Sequence, residues 1–228
     1  MIAVVAPMVQ RVQVIGRGRV GRAFAARLGE RGLLHEQSGA GADLVLLCVP
    51  DQAIAEVARA IRLGVWVAHV SGATPLSALD PHSRRFSVHP LQTFTTDRGA
   101  EQIDGAWGAV TGATDEAQSV GRWLAVVLGL RPFDLADEDR AIYHAGASMA
   151  SNFLVTLHRA SVRALGCARV PAEALLPLMR RTIDNHFDLT GPIARGDIAT
   201  VDAHVSAIRR ELPDLEDMYR ALAEATRR

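Results

Sequence analysis

The sequence predicts an α/β protein, with a mostly parallel sheet carrying helices on both faces, followed by an all-helical C-terminal part. Three observations carry this. Val12-Gln13-Val14-Ile15 runs into Gly16-Arg17-Gly18-Arg19-Val20-Gly21 and then into Phe24, Ala25 and Leu28 at helical spacing, which reads as strand, tight turn and helix. Short apolar, β-branched runs then alternate with helical patterns up to about Ala136, the signature of a parallel sheet. From Asp137 onward strand signals cease. The expected domains are therefore 1–136, a dinucleotide-binding unit, and 137–228, a helical unit for substrate binding and dimerisation.

In chain order, the segment after the first βα unit is short. Leu33-Leu34-His35-Glu36 predicts a brief strand, and Ser38-Gly39-Ala40-Gly41 follows where a helix would be expected. A strong strand over 43–49 comes next, closed by Pro50, and Asp51 is placed to cap a helix over 52–62 whose Ile54, Val57, Ala58 and Ile61 share a face. Strands follow at 65–70, at 85–88 (broken by Pro90), at 107–110 and at 131–135. A short helix is expected at 74–79 and a longer one at 114–128, ended by Gly129. In the second part, Asp137-Glu138-Asp139 starts a helix running to Leu165, with acidic charge at its positive dipole end. Pro171 opens another helix to about Asp188, Asp197 caps a third, and Pro213 starts a fourth.

Composition narrows the function. The 228 residues balance 25 basic against 25 acidic side chains, so no excess charge points to nucleic acid or a membrane surface. Cys48 and Cys167 sit in apolar patterns, read as reduced core thiols, and suit a cytoplasmic protein. Residues 1–9 are apolar but lack a basic leader and a cleavage site, a poor match to a signal peptide. No apolar run approaches the roughly 20 residues that span a bilayer.

Four groups of residues carry candidate chemistry. In the glycine turn, Gly16 makes the bend, Gly18 lets the backbone approach a pyrophosphate and Gly21 lets helix pack on strand. Arg17, Arg19, Val20 and the helix N-terminus complete an anion site, which Arg22 either supplements or leaves as a surface residue. Val49 and Pro50, at the end of the next strand, join the cofactor side. Glu36 falls where an acid accepts hydrogen bonds from a ribose, and a solvated loop position explains it equally well.

The second group is His144, Ser148 and Asn152, at i, i+4 and i+8 of one helix, drifting by about 40° per step. Gly146, Ala147 and Ala150 surround them. A histidine can move the proton that accompanies hydride transfer and an asparagine can orient a carbonyl; a buried network between helices is the alternative. The third lies in the turns after strands: Ser71 on the cofactor side, and Gly72 and His89 toward a substrate, with His89 bonded to its own loop as the alternative. The fourth is Arg195, between two helices, whose guanidinium can hold a carboxylate. No two histidines have metal-ligand spacing on a helix, so no metal site is expected.

With these residues in view, the chain resembles Rossmann-like two-domain proteins whose C-terminal half is a domain of unknown function, within the 6-phosphogluconate dehydrogenase-like superfamily. That group includes 3-hydroxyisobutyrate dehydrogenase, pyrroline-5-carboxylate reductase, ketopantoate reductase and prephenate dehydrogenase. The resemblance rests on the 16–21 turn, His89-Pro90-Leu91-Gln92-Thr93-Phe94, the run from Tyr143-His144-Ala145 to Ser151-Asn152-Phe153, and Leu189-Thr190-Gly191-Pro192 with Arg195-Gly196-Asp197. It implies an oxidoreductase using NAD or NADP on a small carbonyl, imine or hydroxy-carboxylate compound, dimeric through its helical half. In the dehydrogenase relatives a catalytic lysine precedes an asparagine by one helical turn. Asn152 matches the asparagine, Ser148 stands at the lysine position, and His144 is the replacement acid or base. A non-catalytic binding protein with a reduced adenosine pocket, and a dimerising scaffold, are the competing readings.

Overall fold

The computed structural model describes residues 9–35 and 41–227. Two compact units emerge, Met1–Ser148 and Met149–Arg228. The helix Arg140–Ser148 (α4) goes with the first unit, because Arg140 and Tyr143 are bonded to groups on its sheet.

That sheet has six strands in sequence order: β1 (Val12–Ile15), β2 (Leu44–Leu47), β3 (Trp66–His69), β4 (Arg85–Leu91), β5 (Trp107–Gly112) and β6 (Arg131–Asp134). All neighbours are parallel except the antiparallel β4–β5 pair. Helix α1 (Arg19–Glu30) follows β1, α2 (Ile54–Arg59) follows β2, and α3 (Asp115–Leu128) links β5 to β6. Because side chains alternate across a strand, the sheet feeds two cores. Leu44, Leu46, Trp66, Ala68, Phe86 and Val88 meet Phe24 and Leu28 of α1 and Leu124 of α3. Val45, Leu47 and Val67 meet Ile54 and Ala58 of α2 and Leu79. Each fully buried Leu or Phe here contributes about 1.5–3 kcal/mol. Thr114 caps α3 by accepting from the Ala117 N–H at 3.2 Å, and Gly129 ends it at φ +94°.

Several local expectations change. Of the brief strand expected at 33–36, the described residues 33–35 form a single parallel bridge, Leu34 to Val12. The Val12 N–H donates to the Leu33 carbonyl and the His35 N–H to the Val12 carbonyl, both at 2.8 Å. Strand β4 does not stop before Pro90; it runs to Leu91, with Pro90 opposite Gly108. This is tolerated because β3 pairs only as far as Ser87, so beyond that residue β4 has a free edge where a missing N–H costs nothing. Asp51 does not cap a helix over 52–62. A 3₁₀ turn covers Asp51–Ala53, and α2 starts after Ala53 with no side-chain cap.

The second unit is helical: α5 (Leu154–Cys167), α6 (Leu175–Asp184), the short α7 (Gly191–Ala194), α8 (Ile198–Glu211) and α9 (Glu216–Thr226). Asp197 caps α8 as expected, accepting from the Thr200 N–H at 3.0 Å. A π-helical turn, Met149–Phe153, precedes α5. Among the described residues no helix is long and apolar enough to cross a membrane.

Candidate functional site

The three glycines of the first turn have separate physical reasons to be glycine. Gly16 sits at φ +111°, and a Cβ there would lie 2.3 Å from the Cys48 carbonyl oxygen. At Gly21 a Cβ would lie 2.2 Å from the Gly16 carbonyl oxygen, so α1 packs directly on the turn. At Gly18 a Cβ would meet nothing within 4 Å, so the space in front of this backbone is open. Gly18 is the N-cap of α1, with no side-chain cap and no acidic residue in the first turn. The result is a set of free N–H groups at the positive end of a helix dipole, flanked by exposed Arg17 and Arg19. Arg22 turns back, its Nε donating to the Arg17 carbonyl at 3.0 Å. Val49 N lies beside Gly16, and Pro50 is exposed at the same end of β2. These features fit the shape and charge of a dinucleotide pyrophosphate. Glu36 lies outside the described residues.

A second cluster forms where β3 and β4 end. Alternation puts His69, Ser87 and His89 on one sheet face, His69 directly across from Ser87. Helix α4 brings Arg140, Tyr143 and His144 to it at i, i+3 and i+4. The His89 Nδ1 is 2.7 Å from the Tyr143 hydroxyl. The His89 and His144 rings stand edge to face, 5.8 Å between centroids. Gly72 is what allows this: a Cβ there would lie 2.7 Å from His144 Cδ2 and 2.9 Å from His89 Nε2. Its residue type thus makes room for two imidazoles.

A buried polar frame supports the cluster. Arg140 is only 2% exposed. It donates to the Asp137 carboxylate at 2.6 Å, to the Ser71 carbonyl at 3.3 Å and to the Ser87 hydroxyl. Asp137, expected only as an acidic helix start, also accepts the Leu76 N–H at 3.1 Å. The Ser71 hydroxyl donates to Asp51 at 2.8 Å and accepts from the Ala73 and Thr74 N–H groups. Its one proton is therefore committed to Asp51.

Electrostatics keep two of these histidines neutral. Burial holds His69 down at about 3, assisted by the positive charge of Arg140. Burial, then the electrostatic influence of neighbouring His144 and Arg140, hold His89 at about 4. Burial raises Tyr143 to about 12. Fully buried His69 accepts from the Ser71 N–H at Nδ1, 3.2 Å, so its proton sits on Nε2, which has no hydrogen-bond partner among the described residues.

The structure thus unites Gly72, His89 and His144, with Ser71 beneath them and half-buried Ser148 one turn along α4. Asn152, exposed in the π turn, and exposed Arg195 belong to the second unit. Sequence reasoning assigned no role to His69, Tyr143 or Arg140. Their signals were a histidine ending a strand, a tyrosine beside the singled-out His144, and an arginine opening a helix of otherwise uncharged residues. Among the described residues, no group of three or more His, Cys, Asp or Glu is gathered as a metal site would need.

Comparison with known proteins adds to this geometry. A Rossmann-like domain model matches residues 26–93, and the model of a domain of unknown function (DUF2520) matches residues 106–226. No curated protein matches the sequence. Among solved structures, a Bacteroides fragilis protein described provisionally as an NADP oxidoreductase is 19% identical, with 96% of this chain and 98% of that one covered and a TM-score of 0.79. Protein TM1727 of Thermotoga maritima is 23% identical over 95% of this chain and 100% of that one, TM-score 0.70. An imine reductase from Streptomyces aurantiacus is 15% identical over 95% and 93%, TM-score 0.67. At such identities the likeness is one of fold.

Proposed function

The chain belongs to the DUF2520 domain family, and from that premise we propose that it is an NAD(P)-dependent oxidoreductase of a small carbonyl, imine or hydroxy-carboxylate compound. The observation that carries this is Gly18: a backbone approach left open at a side-chain-free helix N-terminus, in the same unit as paired histidines at the strand ends. The oxidoreductase names of the B. fragilis and S. aurantiacus structures support it.

The cofactor would supply or accept the hydride. Gly18 and the first N–H groups of α1 would hold its pyrophosphate, with Arg17 and Arg19 adding charge and Gly16 and Gly21 shaping the turn. Val49, Pro50 and Ser71 belong to the same edge of the sheet and would line its path. His89 would contact the substrate and His144 would give or take the proton at the reacting oxygen or nitrogen. Ser148, one turn beyond His144, would complete the polar stripe. By residue type, Asn152 is assigned to orienting the substrate and Arg195 to binding an anionic group.

Titration with NADH and NADPH, followed by nicotinamide fluorescence and thermal shift, tests the reading. A saturable response to at least one is expected, and none up to millimolar concentration overturns it. His144→Ala should abolish turnover while sparing cofactor affinity; equal loss of both would make His144 structural. A second reading, a metabolite-binding protein without catalysis, draws on the single Leu34–Val12 bridge formed by residues 33–35. Cofactor binding without turnover on any carbonyl, imine or hydroxy acid would favour it.

A further inference from the structure

We propose that Tyr143 is a positioning residue that locks His89 in the tautomer with its proton on Nε2, making His89 a neutral hydrogen-bond donor to a substrate oxygen. The argument begins with the phenol. The Tyr143 hydroxyl is half-buried and its hydrogen-bond partner is His89 Nδ1, at 2.7 Å. Its orientation is set by ring contacts on two sides: His89 edge to face at 5.5 Å and 85°, and Phe133 at 5.9 Å, itself packed on Trp107 at 6.2 Å. Donating to Nδ1 uses the phenol proton, which burial keeps in place up to about 12. In the reverse arrangement the half-buried Tyr143 O–H finds no acceptor among the described residues and would have to turn to water. A neutral imidazole that accepts at Nδ1 must carry its hydrogen on Nε2.

The Nε2 end of the ring lies over Gly72, where His144 Cδ2 also comes close. A neutral donor there gains when negative charge develops on a bound oxygen, as preorganised donors do. Held at about 4, His89 serves as a donor and leaves the proton-moving role where the proposed function puts it, on His144. The division of labour deepens the oxidoreductase reading: it favours a carbonyl or hydroxy substrate, whose oxygen accepts a hydrogen bond throughout. It rests on that reading for the substrate, whereas the tautomer itself does not.

The test is nuclear magnetic resonance of histidine-labelled protein (¹⁵N, ¹³C) without ligand, with His89 assigned by its loss in His89→Gln. Wild type should show Nε2 protonated and Nδ1 as the bare acceptor at neutral pH. Tyr143→Phe should replace that single-tautomer signature by a mixture of both forms. A wild-type signal with the proton on Nδ1 overturns the proposal, as does an unchanged tautomer in a folded Tyr143→Phe. If that variant does not fold, the wild-type spectrum decides alone. Failure of NADH and NADPH to bind would remove the oxidoreductase reading and leave the tautomer result standing; a reversed tautomer in a cofactor-binding protein removes this proposal alone.

Discussion

Helices α3 and α5 each have 14 residues, yet α3 buries Ala117, Val120, Gly121, Leu124, Ala125 and Leu128 while α5 buries none. The same contrast separates the two units. Both strand-fed cores lie in the first, whereas the buried apolar residues of the second are Leu175, Val201, Val205 and Ala223 among those described. Phe153, Leu178, Phe187 and Ile198 of the second unit are 56%, 63%, 71% and 62% exposed. Helical stability in proteins comes chiefly from packing an apolar face, and large exposed apolar surface marks an interface. We therefore propose that the helical unit is completed by a second copy of the chain. The first unit holds both of the strand-fed cores.

The comparison can be broken from either side, and Trp66, Trp107 and Trp123 make intrinsic fluorescence a reporter of the first unit alone. The largest effect is expected from Phe24→Ala, whose side chain is fully buried. It should cost about 3–5 kcal/mol in urea unfolding followed by tryptophan emission; a loss below about 1 kcal/mol would deny the first unit its independent core. Gly21→Ala should follow, at about 1–3 kcal/mol, because its Cβ would strike the Gly16 carbonyl. Gly18→Ala, meeting nothing, should leave stability nearly intact and weaken cofactor binding instead. If both variants lose stability alike, the separate roles assigned to the glycines are wrong.

A smaller effect comes with acid. His69 and His89, at about 3 and about 4 in the folded protein, lie below the roughly 6.5 of a free imidazole. Below that pH the unfolded chain binds protons first, so their stabilisation is complete above about 6.5 and is lost as pH falls through about 4 and then 3. Each histidine contributes a slope of at most about 1.4 kcal/mol per pH unit. The titratable and charged groups facing them are Arg140, Asp137 and His89 around His69, and His144, Arg140 and Asp51 around His89. Thermal unfolding by tryptophan emission between pH 7 and 4.5 should show the decline, and His89→Gln should flatten it; an unflattened curve would place His89 in water. The smallest effect on that signal is expected from Leu154→Asp with Leu157→Asp in α5. The fold of the first unit should persist while sedimentation shows a dimer becoming a monomer. A wild type already monomeric at tens of micromolar would end the two-copy proposal.

What the sequence disclosed follows the range of the forces involved. The glycine turn was legible because a left-handed φ and a close backbone approach leave their mark at single positions. So were the caps at Asp197 and the stop at Gly129. Asp51 was misread because an acid before a helix looks the same whether it caps or reaches Ser71. Pro90 was misread because only the register of β3 against β4 shows that it stands on a free edge. His69, Tyr143 and Arg140 needed both that register and the packing of α4. The π turn at Met149–Phe153 left no mark in the residue pattern.

Strand β4, carried past the end of β3 by its pairing with β5, has a consequence for His89. A residue on a loop must search over backbone torsions as well as its own; His89 sits between ladder-paired Val88 and Pro90, so its Cα is fixed. Only χ1 and χ2 remain, and the Tyr143 hydroxyl removes most of that freedom. The ring is thus aimed before any substrate arrives, and its ordering entropy is met by folding instead of by binding.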